Sequence, residues 1–129
     1  YTTVPLRIVD SRPVMESNLY LRKGEVKKLE LMIDTGSSLG LLLKTTNIAE
    51  FATVHRERVL GFGLNGPVSG YQMTSDKLKA AGLELTGVQT GIVSSNWHDN
   101  ASIGMDVLKD YVVILNYCKQ YACFRKFDA

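Results

Sequence analysis

The chain has 129 residues, of which 45% are hydrophobic and 22% are charged, a composition typical of a globular protein with one core. The formal net charge of +2 comes from 15 basic and 13 acidic residues that are spread along the chain, so no charge run predicts a nucleic-acid or membrane surface. Apolar runs such as "LGLLL" and "VVIL" are far shorter than the roughly 18 residues of a membrane span. We therefore expect a single domain over residues 1–129, without a membrane span and without a nucleic-acid partner.

The first third of the chain is predicted to consist of strands. Short stretches rich in β-branched and aromatic residues are separated by Gly, Pro, Asn and Asp, a pattern typical of a mainly β domain. Residues 4–9 and 14–22 are predicted strands, and a turn at 23–25 reverses the chain into a third strand at 27–33. This hairpin delivers Asp34 at the end of a strand.

The middle of the chain is predicted to contain a short helical turn within residues 45–54 and then a long hairpin. Glycines at 61, 63, 66 and 70 lie between two strand-like arms, which indicates a hairpin with a flexible tip. Residues 83–95 are predicted to form one or two further strands, and residues 96–100 a polar loop.

The last part of the chain contains the clearest helical pattern, at residues 102–111. Ser102 is expected to cap this helix, and Ile103, Val107, Leu108 and Tyr111 fall on one face. Strands at 112–117 and 121–124 are predicted to follow. From their apolar character we expect the following residues to belong to the core: Leu39, Leu41, Leu42, Leu43, Ile103, Gly104, Val112, Val113, Ile114 and Leu115.

Metal sites are not expected. Cys118 and Cys123 are too few for a zinc site, and His55 has no ligand cluster near it in the sequence. The two cysteines fit either a disulfide across a hairpin or two free thiols packed in a strand pair, and both alternatives stay open. No feature of the sequence predicts a cofactor.

Two other motifs are weak. His98 and Asp99 lie near Ser94 and Ser95, but neighbours in sequence do not make a Ser-His-Asp triad, and the sequence lacks a Gly-x-Ser-x-Gly elbow. Residues 61–66, "GFGLNG", match the letters of a dinucleotide-binding fingerprint, but the surrounding pattern lacks the βαβ unit that this motif needs.

The stretch "MIDTGSS", residues 32–38, places a carboxylate between an apolar strand and the smallest side chains. Such a strand ending in Asp34-Thr35-Gly36-Ser37, followed far downstream by the apolar-Gly step of "SIGMDVLKDYVVILNY", resembles the retropepsin-like aspartic proteases of the single-domain bacterial type. The resemblance covers nearly the whole chain in order. It implies a mainly β, closed antiparallel β-barrel-like acid-protease fold with one short C-terminal helix.

The resemblance also implies roles for the four motif residues. Two carboxylates about 3 Å apart share one proton, so that one acts as base towards a water and the other as acid towards the peptide carbonyl. Asp34 would supply these carboxylates, and Gly36 would let backbone amides approach them. Thr35 would hydrogen-bond across a subunit boundary, and Ser37 would donate a hydrogen bond to the outer carboxylate oxygen.

The tip of the long hairpin would be a flap that closes over an extended peptide substrate. Its expected residues are Leu64, Asn65, Gly66, Pro67 and Val68. Pro67 removes one backbone donor from this tip. The alternative interpretation of the same residues is an ordinary mobile hairpin loop.

Asp-Thr-Gly occurs once in the sequence, and Asp106 and the other aspartates lack its surroundings. A dyad therefore requires Asp34 from two chains in a two-fold homodimer. The expected function is an aspartic endopeptidase that cuts peptide or protein substrates. The alternative is a non-catalytic peptide-binding or dimerisation module of the same fold. By resemblance, the domain would belong to a longer protein with a PDZ-like module, located in the cell envelope or periplasm of a bacterium.

Overall fold

The structure is a computed structural model that describes residues 1–22, 25–46, 58–63, 66–95 and 100–127. The strands in these ranges are β1 (Thr2–Pro5), β2 (Arg7–Val9), β3 (Arg12–Arg22), β4 (Glu25–Ile33), β5 (Leu41–Thr45), β6 (Arg58–Gly63), β7 (Gly66–Ala80), β8 (Leu83–Ser94), β9 (Asn100–Ile103), β10 (Tyr111–Asn116) and β11 (Tyr121–Lys126). The helix α1 spans Met105–Leu108.

Six strands close into a barrel in the order β3, β4, β9, β5, β8 and β7, and β7 pairs again with β3. The predicted closed, mainly β fold with one short helix is confirmed. Four of the six pairings are antiparallel, whereas β4 pairs with β9 and β5 with β8 in parallel. The parallel pairing of β4 with β9 arises because β9, which comes late in the chain, inserts between β4 and β5.

A second sheet of three strands, in the order β1, β11 and β10, lies beside the barrel. Side chains from both sheets share one core, in which β-strand alternation sends every second residue inwards. The largest fully buried apolar side chains are those of Met15, Leu19, Leu31, Leu41, Leu43, Leu78, Ile92 and Ile103.

Most of the predicted core residues are buried or half-buried, but Ile114 is not. Its side chain is 45% exposed, so its assignment to the core is wrong. The reason is that β10 is an edge strand: Val113 and Leu115 point inwards and pack against the core, which sends Ile114 to the outer side. Because residues 112–115 are all apolar, the sequence does not indicate which of them point inwards.

The helix is much shorter than the predicted span of residues 102–111. Ser102 does not cap it, because Ser102 belongs to β9 and pairs with β4 on one side and β5 on the other. Gly104 occupies the N-cap position, without a side-chain hydrogen bond, and Tyr111 already begins β10. The helical turn predicted in residues 45–54 falls mainly on residues outside the described ranges, as does most of the polar loop at 96–100.

The two cysteines are free thiols. Cys118 is exposed in the turn after β10, whereas Cys123 lies in β11 opposite Ile114 of β10 and Thr3 of β1. The register therefore separates them, and Cys123 Sγ instead lies 3.6 Å from Thr3 Oγ1.

Tyr111 provides a test of the packing between β10 and β11 in the second sheet. Its ring meets Phe124 edge-on, with ring centroids 6.4 Å apart, and burial, followed by the neighbouring charge of Asp110, raises its pKa above 10.0. The folded chain therefore holds this proton more tightly than the unfolded chain does, so the stabilisation is present below about pH 10 and is lost as pH rises through the folded-state pKa. We expect Tyr111→Phe to reduce the loss of stability as pH rises above about pH 10 in urea denaturation. Tyr117→Phe, at an exposed tyrosine, is the control, and equal pH slopes for wild type and Tyr111→Phe would contradict the assignment.

Candidate active site

Asp34 follows β4 directly and lies half-buried at the start of a loop. The parallel pairing of β4 with β9 places Ile33 beside Ile103, and the Asp34 backbone N–H donates to the Ile103 carbonyl at 2.9 Å. The sheet thus continues one residue past the end of β4. As a consequence, the backbone position of Asp34 is fixed by the barrel itself.

The loop folds tightly around its own carboxylate. The Gly36 N–H donates to Asp34 Oδ1 at 3.0 Å, and the Ser37 N–H donates to the Asp34 carbonyl at 3.2 Å. A Cβ at position 36 would lie 3.3 Å from Asp34 Oδ1, so a small residue there allows this approach. No residue in the described ranges donates a hydrogen bond to the second carboxylate oxygen, Oδ2.

The chain at the start of α1 holds the far side of the loop. Three successive backbone N–H groups donate to loop carbonyls: Gly104 to Gly40 at 2.7 Å, Met105 to Ser37 at 2.7 Å and Asp106 to Leu39 at 3.2 Å. These bonds satisfy polar groups that would otherwise be left without partners between two elements. The loop is therefore held at both ends, by β9 and by the start of α1.

Gly104 makes this contact possible through its size. A Cβ at this position would lie 2.3 Å from the Leu39 carbonyl oxygen, 2.8 Å from the Ser37 carbonyl oxygen and 2.9 Å from Ser37 Oγ. Its φ of −115° is open to any residue, so the need for glycine here is one of space. Sequence reasoning assigned Gly104 to the core and missed this role, although a glycine between a buried strand and a helix was the available signal.

The other two motif residues are placed as follows. Thr35 is exposed at the top of the loop. Ser37 is half-buried, and its Oγ accepts a hydrogen bond from the Leu39 N–H at 3.3 Å, which leaves the hydroxyl hydrogen for another acceptor. Their expected roles, a contact across a subunit boundary and a bond to the outer carboxylate oxygen, remain predictions.

The long hairpin is present as β6 paired with β7. Leu64 and Asn65, at its tip, lie outside the described residues. Gly66 begins β7 with φ of +109°, a conformation that favours glycine, and the exposed Pro67 and then Val68 continue the pairing with β6. A flap role for these residues remains a prediction.

The described part of the chain contains no group of three or more His, Cys, Asp and Glu side chains that could hold a metal ion. His55 and His98 lie outside the described ranges, so the structure says nothing of the triad considered for His98. Within those ranges, no helix has the length and apolar character needed to cross a membrane.

Comparison with solved structures identifies the architecture. The crystal structure of a retropepsin-like aspartic protease from Rickettsia conorii superposes with a TM-score of 0.64 and covers 95% of this chain and 88% of that one, at 16% sequence identity. The chain has the retropepsin-like fold. No protein-family model matches the sequence, and a search of the curated proteins finds no match either.

In the retropepsin-like fold of this chain, the loop after β4 carries Asp34, Gly36 and Ser37. This loop contacts Ile103 and Gly104, which come much later in the sequence. This combination positions a carboxylate on a rigid support with one oxygen already hydrogen-bonded. Such a carboxylate can accept or donate a proton, and a second one beside it would complete the chemistry of an acid and a base.

Proposed function

We propose that this chain is an aspartic endopeptidase that hydrolyses peptide bonds as a homodimer. The observation that carries the proposal is the half-buried Asp34 carboxylate, held by the Gly36 N–H on a loop that is fixed from both sides in a retropepsin-like barrel. The fold supports the assignment to the aspartic proteases, and the hydrogen bonds of the loop support Asp34 as the residue that acts.

One carboxylate cannot act as base towards the attacking water and as acid towards the carbonyl oxygen in the same step. Two carboxylates that share a proton can do both, because their mutual repulsion keeps one of them protonated. The Oδ2 oxygen of Asp34, which receives no hydrogen bond from the described residues, is the atom through which the second carboxylate and the water would be reached.

The second carboxylate is proposed to be Asp34 of another copy, because the sequence holds a single Asp-Thr-Gly motif. A two-fold axis beside the loop would bring each Asp34 to its own symmetry mate. In this arrangement the exposed Thr35 would contact the partner loop, and the hydroxyl hydrogen of Ser37 would reach the outer carboxylate oxygen.

The β6–β7 hairpin is proposed to act as the flap. An extended peptide would lie between the hairpin and the Asp34 loop, where strand backbones offer hydrogen bonds along its length. Closure of residues 64–68 over the peptide would exclude bulk water from the reaction.

A mixing experiment tests the shared active site. We expect a tenfold excess of Asp34→Asn chains to lower the peptide-cleaving activity of a fixed amount of wild-type chain to about one tenth, because random pairing leaves few wild-type pairs. Activity is measured with a peptide mixture from acid to neutral pH, after the chains have been mixed and allowed to exchange. An equal excess of Asp76→Asn, at an exposed site on β7, is the control and is expected to add activity.

Sedimentation at the same concentrations completes this test. Activity that follows a two-chain species supports the proposal, whereas cleavage by a strictly monomeric chain would contradict a dyad of two Asp34 residues. Binding of peptides without any cleavage would instead favour the non-catalytic peptide-binding module.

A further inference from the structure

A cavity of about 140 Å³ opens beside the Asp34 loop, between the base of the β6–β7 hairpin and the start of α1. Its lining comes from parts of the chain far apart in sequence, and includes Ser38, Leu39, Leu60, Gln72, Gln89 and Asp106. Ser38 lies four residues after Asp34 on the same loop. The cavity therefore borders the loop that carries Asp34, where a substrate would be placed for cleavage under the proposed function.

Two glycines make room for the cavity. A Cβ at Gly91 would lie 2.9 Å from Leu60 Cδ1, and a Cβ at Gly40 would lie 2.9 Å from the Gln89 carbonyl oxygen and 3.6 Å from Asp106 Oδ2. Because Gly91 has no side chain, Leu60 can pack over β8. Because Gly40 has no side chain, the cavity extends as far as Asp106. One wall of the cavity is thus apolar.

The lining of the cavity also carries a negative charge. Asp106 is the charged residue in its lining. The Asp106 Oδ1 accepts a hydrogen bond from Lys109 Nζ at 3.3 Å. The other carboxylate oxygen, Oδ2, lies on the side of Gly40. The cavity therefore offers a carboxylate that can accept a hydrogen bond and attract a cation.

We propose that this cavity is a substrate subsite that takes a lysine or arginine side chain, with Asp106 as the residue that determines this preference. The apolar stem of such a side chain would pack on Leu60 and Leu39, and its charged end would reach Asp106. The inference rests on the proposed endopeptidase function and adds the class of substrate that the site prefers.

Lys109 limits the strength of this preference. Its ammonium group already pairs with Asp106, and the two side chains are 58% and 49% exposed, so the pair is weak and can be exchanged for a substrate cation. Removal of Lys109 should therefore leave the Asp106 carboxylate available to the substrate.

The test compares peptides that differ only by lysine or methionine at one position. A peptide mixture cleaved by wild-type protein first identifies the position, relative to the cut bond, at which lysine and arginine are enriched. The ratio of kcat/KM for the lysine peptide over the methionine peptide is then expected to fall about three- to fivefold in Asp106→Asn and to rise in Lys109→Gln. Asp76→Asn is the charge-matched control and leaves the ratio unchanged.

Binding to Asp34→Asn, measured by fluorescence anisotropy with peptide pairs that carry lysine or methionine at each position in turn, separates the subsite from catalysis. A lysine preference in binding that falls with Asp106→Asn in the Asp34→Asn background supports the subsite even if the wild-type chain cleaves nothing, which would overturn the proposed function alone. Equal binding of the two peptides in every pair, or a lysine preference that neither the Asp106 nor the Lys109 substitution changes, would overturn the subsite.

Discussion

Asp34→Asn is expected to abolish peptide cleavage while the chain keeps its fold. The asparagine side chain still accepts the Gly36 N–H through its amide oxygen, so the loop geometry survives. It cannot exchange a proton with water or with a second carboxylate, and the loss of such acid–base chemistry typically costs about 10²- to 10⁴-fold in rate. Cleavage of a peptide mixture from acid to neutral pH, together with thermal unfolding followed by circular dichroism, measures both quantities.

Asp110→Asn is the matched control for this substitution, because Asp110 is exposed after α1 and lies outside the Asp34 loop. It is expected to keep wild-type cleavage. Undiminished cleavage by Asp34→Asn at every pH would rule out the aspartic mechanism, whatever the fold.

Gly104→Ala is expected to lower stability strongly and to remove activity with it. The added methyl group would lie 2.3 Å from the Leu39 carbonyl oxygen and 2.8 Å from that of Ser37, both of them backbone atoms that cannot turn away. Overpacking of this kind costs about 1–3 kcal/mol or more, and relief of the clash requires the loop to move off the start of α1. Urea denaturation and peptide cleavage are the measurements.

Gly82→Ala provides the comparison at a position where the new methyl group meets only Thr2 Cγ2, at 3.2 Å. Gly82 lies in an exposed turn and this neighbour is the end of a side chain in β1, so we expect a much smaller change in the free energy of unfolding. If Gly104→Ala were as stable and active as Gly82→Ala, the close packing of the loop on Gly104 would be wrong.

The sequence predicts the local parts of this structure well, because they depend on neighbours along the chain. Alternation of apolar residues in 27–33 places β4 and its inward face correctly, and the polar turn signals around 23–25 agree with the antiparallel pairing of β3 and β4. The end of β4 at Ile33 then puts Asp34 at the start of a loop, as expected.

Features that depend on distant pairing could not be predicted in the same way. The helical pattern of residues 102–111 competes with strand pairing. Ser102 and Ile103 belong to β9 because the backbone N–H and C=O groups of β4 and β5 offer them hydrogen bonds on both sides. The role of Gly104 likewise depends on carbonyl groups some sixty-five residues earlier in the chain, which no local pattern reveals.

The sequence predicts which residues of the candidate site could react, but not which parts of the fold hold them in place. A carboxylate followed by small residues predicts close amide approach, and the Gly36 N–H bond to Asp34 agrees with it. The cavity at Asp106 escaped prediction, because Leu60, Gln89 and Asp106 have no relation in sequence and meet only through the barrel.

The parallel pairing of β4 with β9 also sets the order of events during synthesis. Residue 31 pairs with residue 101, so a ribosome-bound chain that has emerged only through residue 100 contains the Asp34 motif but lacks the strand that fixes it. Contacts so far apart in sequence form late in folding, since the intervening chain must first be closed into a loop. The loop that carries Asp34 is therefore completed only after β9 and the start of α1 have folded against it.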